Sequence, residues 1–196
     1  LSTLLAVGCI PIFTGILSAI IFHERFSALW FGATSLAIFG LALRFSGEIK
    51  VESTLGVFMA FGAGLSVAIY VNATKVAMRN HENPTELAAT AYLIGSLFLT
   101  PLLISEDLSW LGSIRGVLVV LYLGSVGMAV ANIFQLYGLR KMSPSSAGTL
   151  ALAEPLTATV LGITLLNESL TTVSFIGLAI VSVALIWLSI GTKSEN

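Results

Sequence analysis

Charged residues are scarce in this sequence, and their scarcity excludes a water-soluble globule. Only 10% of the 196 residues are Asp, Glu, Lys or Arg, whereas 56% are hydrophobic. A soluble domain carries roughly 25% charged residues, because it needs them to cover its surface. The formal net charge of −1 gives no reason to expect a nucleic-acid partner. The composition therefore predicts an integral membrane protein whose surroundings are the lipid bilayer.

Residues with specialised chemistry are also few, and each shortage removes a class of function. The one cysteine, Cys9, lies in an apolar run, so the sequence has no disulfide framework and no CxxC pair. The two histidines, His23 and His81, lie between apolar segments without metal-ligand neighbours. Neither an H-E-x-x-H nor a G-x-S-x-G pattern occurs. We therefore expect no enzyme activity, no metal and no cofactor.

Apolar residues are concentrated in seven segments, each close to the ~20 residues that a helix needs to cross a bilayer. These segments cover residues 1–22, 28–46, 54–78, 86–105, 114–139, 144–166 and 170–190. The ten-residue alternating pattern of a membrane β-barrel does not occur. Because backbone groups in lipid must be satisfied internally, the segments are predicted to be helices. The fold class is all-α integral membrane, with seven transmembrane helices.

Basic residues are distributed unequally between the two sides of these seven spans. Three fall on one side, namely Arg44, Lys50 and Arg115. Six fall on the side of the C-terminus, namely Arg25, Lys75, Arg79, Arg140, Lys141 and Lys193. Cytoplasmic loops carry the excess of Lys and Arg in membrane proteins. We therefore expect a multi-pass protein of the plasma or inner membrane with its C-terminus in the cytoplasm.

An internal repeat relates the beginning of the chain to its end at a separation of 144 residues. The identical pairs are Pro11 and Pro155, Leu17 and Leu161, and Glu24 and Glu168. Both copies contain a proline, an apolar run, an acid and then a hydroxyl residue that opens the next helix. The copies are five segments apart, and because five is odd they cross the membrane in opposite directions. Inverted repeats of this kind build many secondary transporters.

The repeat predicts how the complete protein is organised. Residues 1–47 would be the last two helices of a first five-helix repeat, and residues 48–196 a complete second repeat. On this hypothesis three further spans lie upstream. The chain is then expected to be the C-terminal part of a ten-helix 5+5 inverted-repeat transporter.

Two stretches of sequence resemble the ends of EamA repeats, from which transporters of the drug/metabolite transporter superfamily are built. They read LYGLRKMSPSSAGTLALAEPLTATVLGITLLNESLT and IPIFTGILSAIIFHERFSALWFGATSLAIFGL. The resemblance implies cytoplasmic termini, a central cavity between the repeats, and export or uptake of small metabolites by alternating access. Asn132 stands where the family often has a tyrosine, so a substrate contact at that position is not carried over.

Glu154 is the only acidic residue well inside a predicted span, roughly 15 Å from its start. The eight Leu, Ile and Val residues between positions 147 and 166 favour insertion by roughly 2–5 kcal/mol. A mid-membrane acid costs about 2.5–3.5 kcal/mol on the same scales. Glu154, with Thr157, is therefore expected to face a polar cavity and to bind a cationic or zwitterionic substrate or a coupling proton. Alternatively, it stays protonated and bonds a carbonyl group that Pro155 frees.

Two prolines and two amides are further candidates. Pro155 removes the hydrogen bond to the Ala151 carbonyl group and is expected to kink its helix, as Pro11 would in the first copy. The kinks would be either a gate or static packing bends. Asn132 and Gln135 share a helix face and either fix a polar substrate or bond neighbouring helices.

Small residues form a stripe at spacing four along the third segment and predict close helix packing there. The stripe consists of Gly56, Ala60, Gly64 and Ala68, and it ends at Asn72. Asn72 and the nearby Tyr70 are expected to reach the cavity. Glu24 and Glu168 lie in turns before helices capped by Ser27 and Thr171, where an anion favours the helix dipole. Both acids are interpreted as structural turn residues.

A retinal protein and a non-transporting scaffold are two alternatives to a transporter for a seven-helix membrane protein. A retinal protein needs a mid-span lysine, and residues 170–190 contain none. A non-transporting membrane scaffold or subunit of the same fold remains an alternative. Because no Lys or Arg lies mid-span, a phosphorylated substrate is disfavoured. The sequence favours a secondary transporter, expected to be an exporter, for a small neutral, zwitterionic or cationic metabolite that is amino acid- or drug-like. Protons are the candidate coupling ion and a homodimer the candidate assembly.

Overall fold

The structure, a computed structural model, describes residues 2–46, 54–80, 83–167 and 170–194. Every regular element within these ranges is helical. The α-helices are α1 (Ser2–Phe22), α2 (Ala28–Arg44), α3 (Thr54–Arg79), α4 (Pro84–Ser105), α5 (Ile114–Tyr122), α6 (Ala131–Arg140), α7 (Pro144–Leu150), α8 (Ala153–Leu166) and α9 (Thr172–Ser194). A 3₁₀ turn at Ser109–Gly112 precedes α5, and a π-helical segment, Leu123–Val130, joins α5 to α6.

Six stretches of the described chain are long and apolar enough to cross a membrane. They are Leu4–Phe22, Thr54–Arg79, Pro84–Ile104, Ile114–Arg140, Pro144–Leu166 and Thr172–Gly191. Helix α2 is also apolar but has only 17 residues. The prediction of an all-α integral membrane protein is confirmed, and each predicted segment coincides with a helix or with consecutive helices.

The described chain divides into two compact units. The first unit contains Leu1–Asn72 and Ser143–Asn196, and the second contains Ala73–Met142. The first unit therefore holds α1, α2, most of α3 and α7 to α9, whereas the second holds α4 to α6 with the end of α3.

The first unit is centred on the contact between α2 and α9, which run antiparallel. Leu29, near the start of α2, packs on Gly191, near the end of α9, whereas Gly40 lies against Gly177. A Cβ atom placed on Gly177 would lie 2.5 Å from the Gly40 carbonyl oxygen. The two backbones therefore touch, which only glycine permits. Leu152, between α7 and α8, is fully buried against this pair of helices.

The predicted small-residue stripe of α3 is a packing face, as expected. A Cβ atom on Gly64 would lie 2.8 Å from the Ala6 carbonyl oxygen of α1. Ala60, Ala68 and Asn72 are buried on the same face. The prediction of close helix packing along this stripe is thus confirmed.

The turns after α1 and α8 have the same backbone conformation at a separation of 144 residues. Helix α1 ends at Phe22 and α8 ends at Leu166. The next residue in each case, His23 or Asn167, is left-handed with φ of 54°. These are the two non-glycine residues with positive φ in the described chain.

The helices that follow these turns also begin in the same way. Ser27 caps α2 by accepting a hydrogen bond from the backbone N–H of Trp30 at 3.2 Å. Thr171, 144 residues later, accepts one from the backbone N–H of Ser174 at 3.2 Å. Side-chain oxygens at this position satisfy N–H groups that a helix start leaves unpaired. The two hairpins, α1–α2 and α8–α9, thus share helix end, turn and cap.

The two hairpins run in opposite directions. Helix α2 is antiparallel to its counterpart α9, as the pairs Leu29 with Gly191 and Gly40 with Gly177 require. Helix α1 runs antiparallel to the span formed by α7 and α8, because Thr14 packs on Gly148 while Glu24 reaches back to Ser145. The inverted sense inferred from the odd number of segments is therefore seen within the first unit.

The second unit contains a lysine that caps the C-terminal end of a helix. Lys75 Nζ donates to the carbonyl oxygens of Leu139 at 2.6 Å and Met142 at 2.9 Å. The carbonyl groups that end a helix lack partners in the helix itself, and a cation there is favourable. This contact fixes the end of α6 against α3 within the second unit.

We predict that Gly177→Ala lowers the free energy of unfolding by about 1–3 kcal/mol, as overpacking of a tight contact does. The matched control is Gly62→Ala in α3, where an added Cβ meets no other described atom within 4 Å. Thermal unfolding in detergent, followed by size-exclusion chromatography, measures both. Equal unfolding temperatures for the two variants would contradict the close approach of α2 and α9.

Candidate functional site

The span Pro144–Leu166 is interrupted at Ala151 and Leu152, between α7 and α8. The Leu152 N–H donates to the Thr149 carbonyl oxygen at 3.1 Å, and the Glu154 N–H donates to the Ala151 carbonyl oxygen at 3.0 Å. Both bonds are one residue shorter than α-helical bonds. Pro155 has no N–H, so it cannot supply the helical partner of Ala151. The sequence predicts that the Ala151 carbonyl group loses its helical partner to Pro155, and the structure places the interruption there, with the Glu154 N–H as the replacement partner.

Pro11, the counterpart of Pro155, lies in a helix without such an interruption. Helix α1 continues from Ser2 to Phe22, and Pro11 is fully buried. The discontinuous helix is therefore a property of the second copy.

Glu154 lies in the first turn of α8 and is exposed on the surface of the first unit. Thr157 and Leu161 follow at helical spacing on the same face and are also exposed. Thr159 lies on the buried side of the helix. A carboxylate in the first turn is favoured by the N–H groups that point out of the helix start. The Thr157 hydroxyl donates to its own helix, at the Ala153 carbonyl oxygen, 2.8 Å away.

Arg44 reaches the middle of α8, although it belongs to the last turn of α2. Its Nε donates to Thr159 Oγ1 at 3.3 Å. This cation could not be predicted from the sequence, because a long arginine side chain carries its charge far from its own backbone. Thr159 is on the buried side of α8, so Arg44 lies away from the face that carries Glu154 and Thr157.

Asn72 is fully buried between α3 and α1. Its Nδ2 donates to the carbonyl oxygens of Ala68 at 2.9 Å and Thr14 at 3.4 Å. Asn72 Oδ1 and Thr14 Oγ1 have no hydrogen-bond partner among the described residues. Buried polar atoms without partners are rare, so the contact between α1 and α3 contains an unusual pair of buried polar atoms. Tyr70, two residues earlier, is half-buried.

Asn132 and Gln135 lie on α6 in the second unit. Asn132 Nδ2 donates to Gln135 Oε1 at 3.4 Å, so the two amides share a face. Asn132 is buried and Gln135 is exposed. The π-helical segment that precedes them, Leu123–Val130, is of a type found frequently at functional sites. Hydropathy alone does not distinguish a π-helical stretch from an α-helical one.

Glu24 accepts hydrogen bonds from two serines, Ser18 and Ser145. The sequence predicts a role for Glu24 only within its own turn, whereas in the structure Glu24 also bonds α7. Its counterpart Glu168 lies outside the described residues. Within the part of the chain that the structure covers, no cluster of three or more His, Cys, Asp or Glu residues would hold a metal ion.

Comparison with known proteins agrees with the helical architecture. The model of the EamA-like transporter family matches residues 54–190. The uncharacterized transporter YwfM of Bacillus subtilis (strain 168) is 35% identical over 195 residues, which are 99% of this chain and 66% of that protein. An uncharacterized transporter of Archaeoglobus fulgidus is 27% identical over 187 residues, 92% of this chain and 65% of its own length.

A third relative, the uncharacterized inner membrane transporter YedA of Escherichia coli (strain K12), is 23% identical over 188 residues, 94% of this chain and 60% of that protein. The chain thus spans about two thirds or less of the length of these relatives. Because the family match covers more than half of the chain, this protein belongs to the EamA-like transporter family.

Proposed function

We propose that this protein is a secondary transporter that moves a small neutral, zwitterionic or cationic metabolite across the plasma or inner membrane by alternating access, in the direction of export. The observation that carries the proposal is the interrupted span Pro144–Leu166, with Glu154 at the start of its second half. Inverted-repeat transporters bind substrates near the bilayer midplane, at helices that are discontinuous there. The family and the names of the relatives support the same class of function.

The chemistry around the interruption favours a substrate with a positively charged group. Glu154 places a carboxylate on one face of α8, and Thr157 continues that face. An ionisable residue inside a membrane normally faces a cavity or a partner and not lipid. The guanidinium of Arg44, which would suit a phosphate, bonds to the opposite side of the helix. An amine-bearing or zwitterionic metabolite therefore fits the exposed face better than a phosphorylated one.

Uncharged polar residues are proposed as further substrate contacts. We assign Asn132, Gln135, Tyr70 and Asn72 to contacts with the polar parts of the substrate. The two amides on α6 supply both donors and acceptors. Pro155 and Pro11 are assigned to bending motions of their helices during transport. Protons are the proposed coupling ion, with Glu154 exchanging a proton for substrate. The C-terminus is proposed to lie in the cytoplasm. The proposed assembly is a homodimer.

The test is flux into proteoliposomes that contain the protein expressed from its full coding sequence. A panel of radiolabelled amino acids, amines and sugar phosphates is offered with and without a proton gradient. The proposal expects uptake of zwitterionic or cationic compounds above that of empty liposomes. A non-transporting scaffold would give no flux of any compound under either condition.

We predict that Glu154→Gln lowers transport of the cationic or zwitterionic substrate by about tenfold or more, because a hydrogen bond to a charged group contributes about 1.5–3 kcal/mol. The same change should abolish stimulation by a proton gradient. The control is Glu86→Gln, which alters an exposed acid that bonds Asn83 at the start of α4. Normal, gradient-stimulated flux in the Glu154→Gln protein would rule out a role of this carboxylate in binding or coupling.

We predict that Pro155→Ala slows amide hydrogen exchange at residues 151–155, because the new N–H can bond the Ala151 carbonyl group and close the interruption. The control is Pro11→Ala, in a helix that is already continuous. Exchange followed by mass spectrometry separates the two. If exchange at residues 151–155 stays as fast as in the unmodified protein, the packing of Leu152 and not Pro155 causes the interruption.

A further inference from the structure

One carboxylate joins two helices that belong to different copies of the repeat. Ser18 Oγ of α1 donates to Glu24 Oε2, and Ser145 Oγ of α7 donates to Glu24 Oε1. Each carboxylate oxygen therefore has its own donor. Ser18 and Ser145 are almost completely buried, and Glu24 is half-buried in the turn after α1. Hydrogen bonds to a charged acceptor are about twice as strong as those between neutral groups.

The contact between the two copies continues from this bridge along α7. Thr149, one turn beyond Ser145, bonds Thr34 of α2 through their hydroxyl groups at 2.8 Å, and both side chains are buried. Thr14 of α1 packs so closely on Gly148 that a Cβ atom there would lie 2.8 Å from the Thr14 Cβ. The seam that α7 forms with α1 and α2 is therefore closed, with Glu24 at its outer end.

The two serines of this bridge have no hydroxyl counterparts in the other copy. The residue 144 positions after Ser18 is Gly162, which has no hydroxyl group. The residue 144 positions before Ser145 is Leu1, which has none either. Ser27 and Thr171 already cap the helices after both turns, so the cap does not require the two serines. The pair of serines that holds the carboxylate thus distinguishes one end of the repeat pair from the other.

We propose that Glu24, Ser18 and Ser145 form a latch that holds this end of the protein closed and releases each time that end opens during transport. The proposal rests on the transport function proposed above. In alternating access one repeat moves against the other around the site, and α1 and α7 belong to opposite repeats. Charge-assisted hydrogen bonds at the outer end of a packed seam hold the two helices together. When the helices separate, hydrogen bonds to water replace them.

The first test is chemical accessibility of the seam, which does not depend on knowing the substrate. Ser146→Cys, next to Ser145 and buried, is introduced into a Cys9→Ala background in nanodiscs, where both membrane faces are open. The rate of modification by a charged maleimide is the readout. We expect Glu24→Gln, which removes one acceptor, to raise this rate about tenfold, as loss of one charged hydrogen bond would.

Two further variants make the labelling result specific. Ser145→Ala removes a donor without touching the turn, and it should raise the rate as Glu24→Gln does. Ser182→Ala removes a hydroxyl group that donates to the Leu178 carbonyl oxygen within α9, and it should leave the rate unchanged. If neither Glu24→Gln nor Ser145→Ala accelerates labelling, the bridge does not close the seam and the proposal is overturned.

The second test asks whether the latch must open. Ser18→Cys and Ser145→Cys, combined in the Cys9→Ala background, are linked by a short bifunctional methanethiosulfonate. The linked protein should lose flux, and reductant should restore it, whereas each single-cysteine variant should have the same flux before and after the same treatment. Full flux in the linked protein would overturn the proposal. A failure of the proposed transport function is seen separately, as absence of flux in the unmodified protein, and the labelling rates then decide the latch alone.

Discussion

The direct contact of the α2 and α9 backbones is the constraint on which the first unit depends. Glycine at positions 40 and 177 lets the two helices approach until a backbone atom of one touches the other. In a bilayer, where lipid tails are as apolar as leucine, such close packing supplies much of the drive for helix association. Because the two helices are counterparts that run in opposite directions, this contact also joins the two copies. Leu152 is buried against it, so the interrupted span is positioned by the same seam.

Around that symmetric contact the two copies have diverged, and the differences are where function is proposed. Both hairpins keep the helix end, the left-handed residue and the hydroxyl cap. The second copy alone has an interrupted span, with Glu154 beside it, although both copies contain the proline. The first copy bridges a turn carboxylate to the opposite repeat through two serines that have no hydroxyl counterparts in the second copy. Shared features thus build the framework, whereas the unshared ones are the proposed binding site and latch.

Much of the fold could be predicted from the sequence because the bilayer limits the choices. The segment predicted at residues 144–166 corresponds to Pro144–Leu166 in the structure, since apolar length alone defines a span. Pairings across the fold could not be predicted: Glu24 meets Ser145, and Arg44 meets Thr159, over more than a hundred residues. The replacement bond from the Glu154 N–H to the Ala151 carbonyl group also escaped prediction, because it depends on the backbone conformation at the interruption. The assignment of Glu154 to a substrate site remains a prediction, which is based on the free-energy cost of placing an acid inside the bilayer.

The inverted relation of the two hairpins is tested most directly by the sidedness of Ala28 and Thr172, which are equivalent residues at the starts of α2 and α9. Each is replaced by cysteine in a Cys9→Ala background, and sealed vesicles of one orientation are treated with a membrane-impermeant maleimide. The account predicts that one cysteine is labelled from outside and that the other is labelled only after the vesicles are opened. Labelling of both cysteines from the same side would contradict the inverted repeat and the transport mechanism proposed from it.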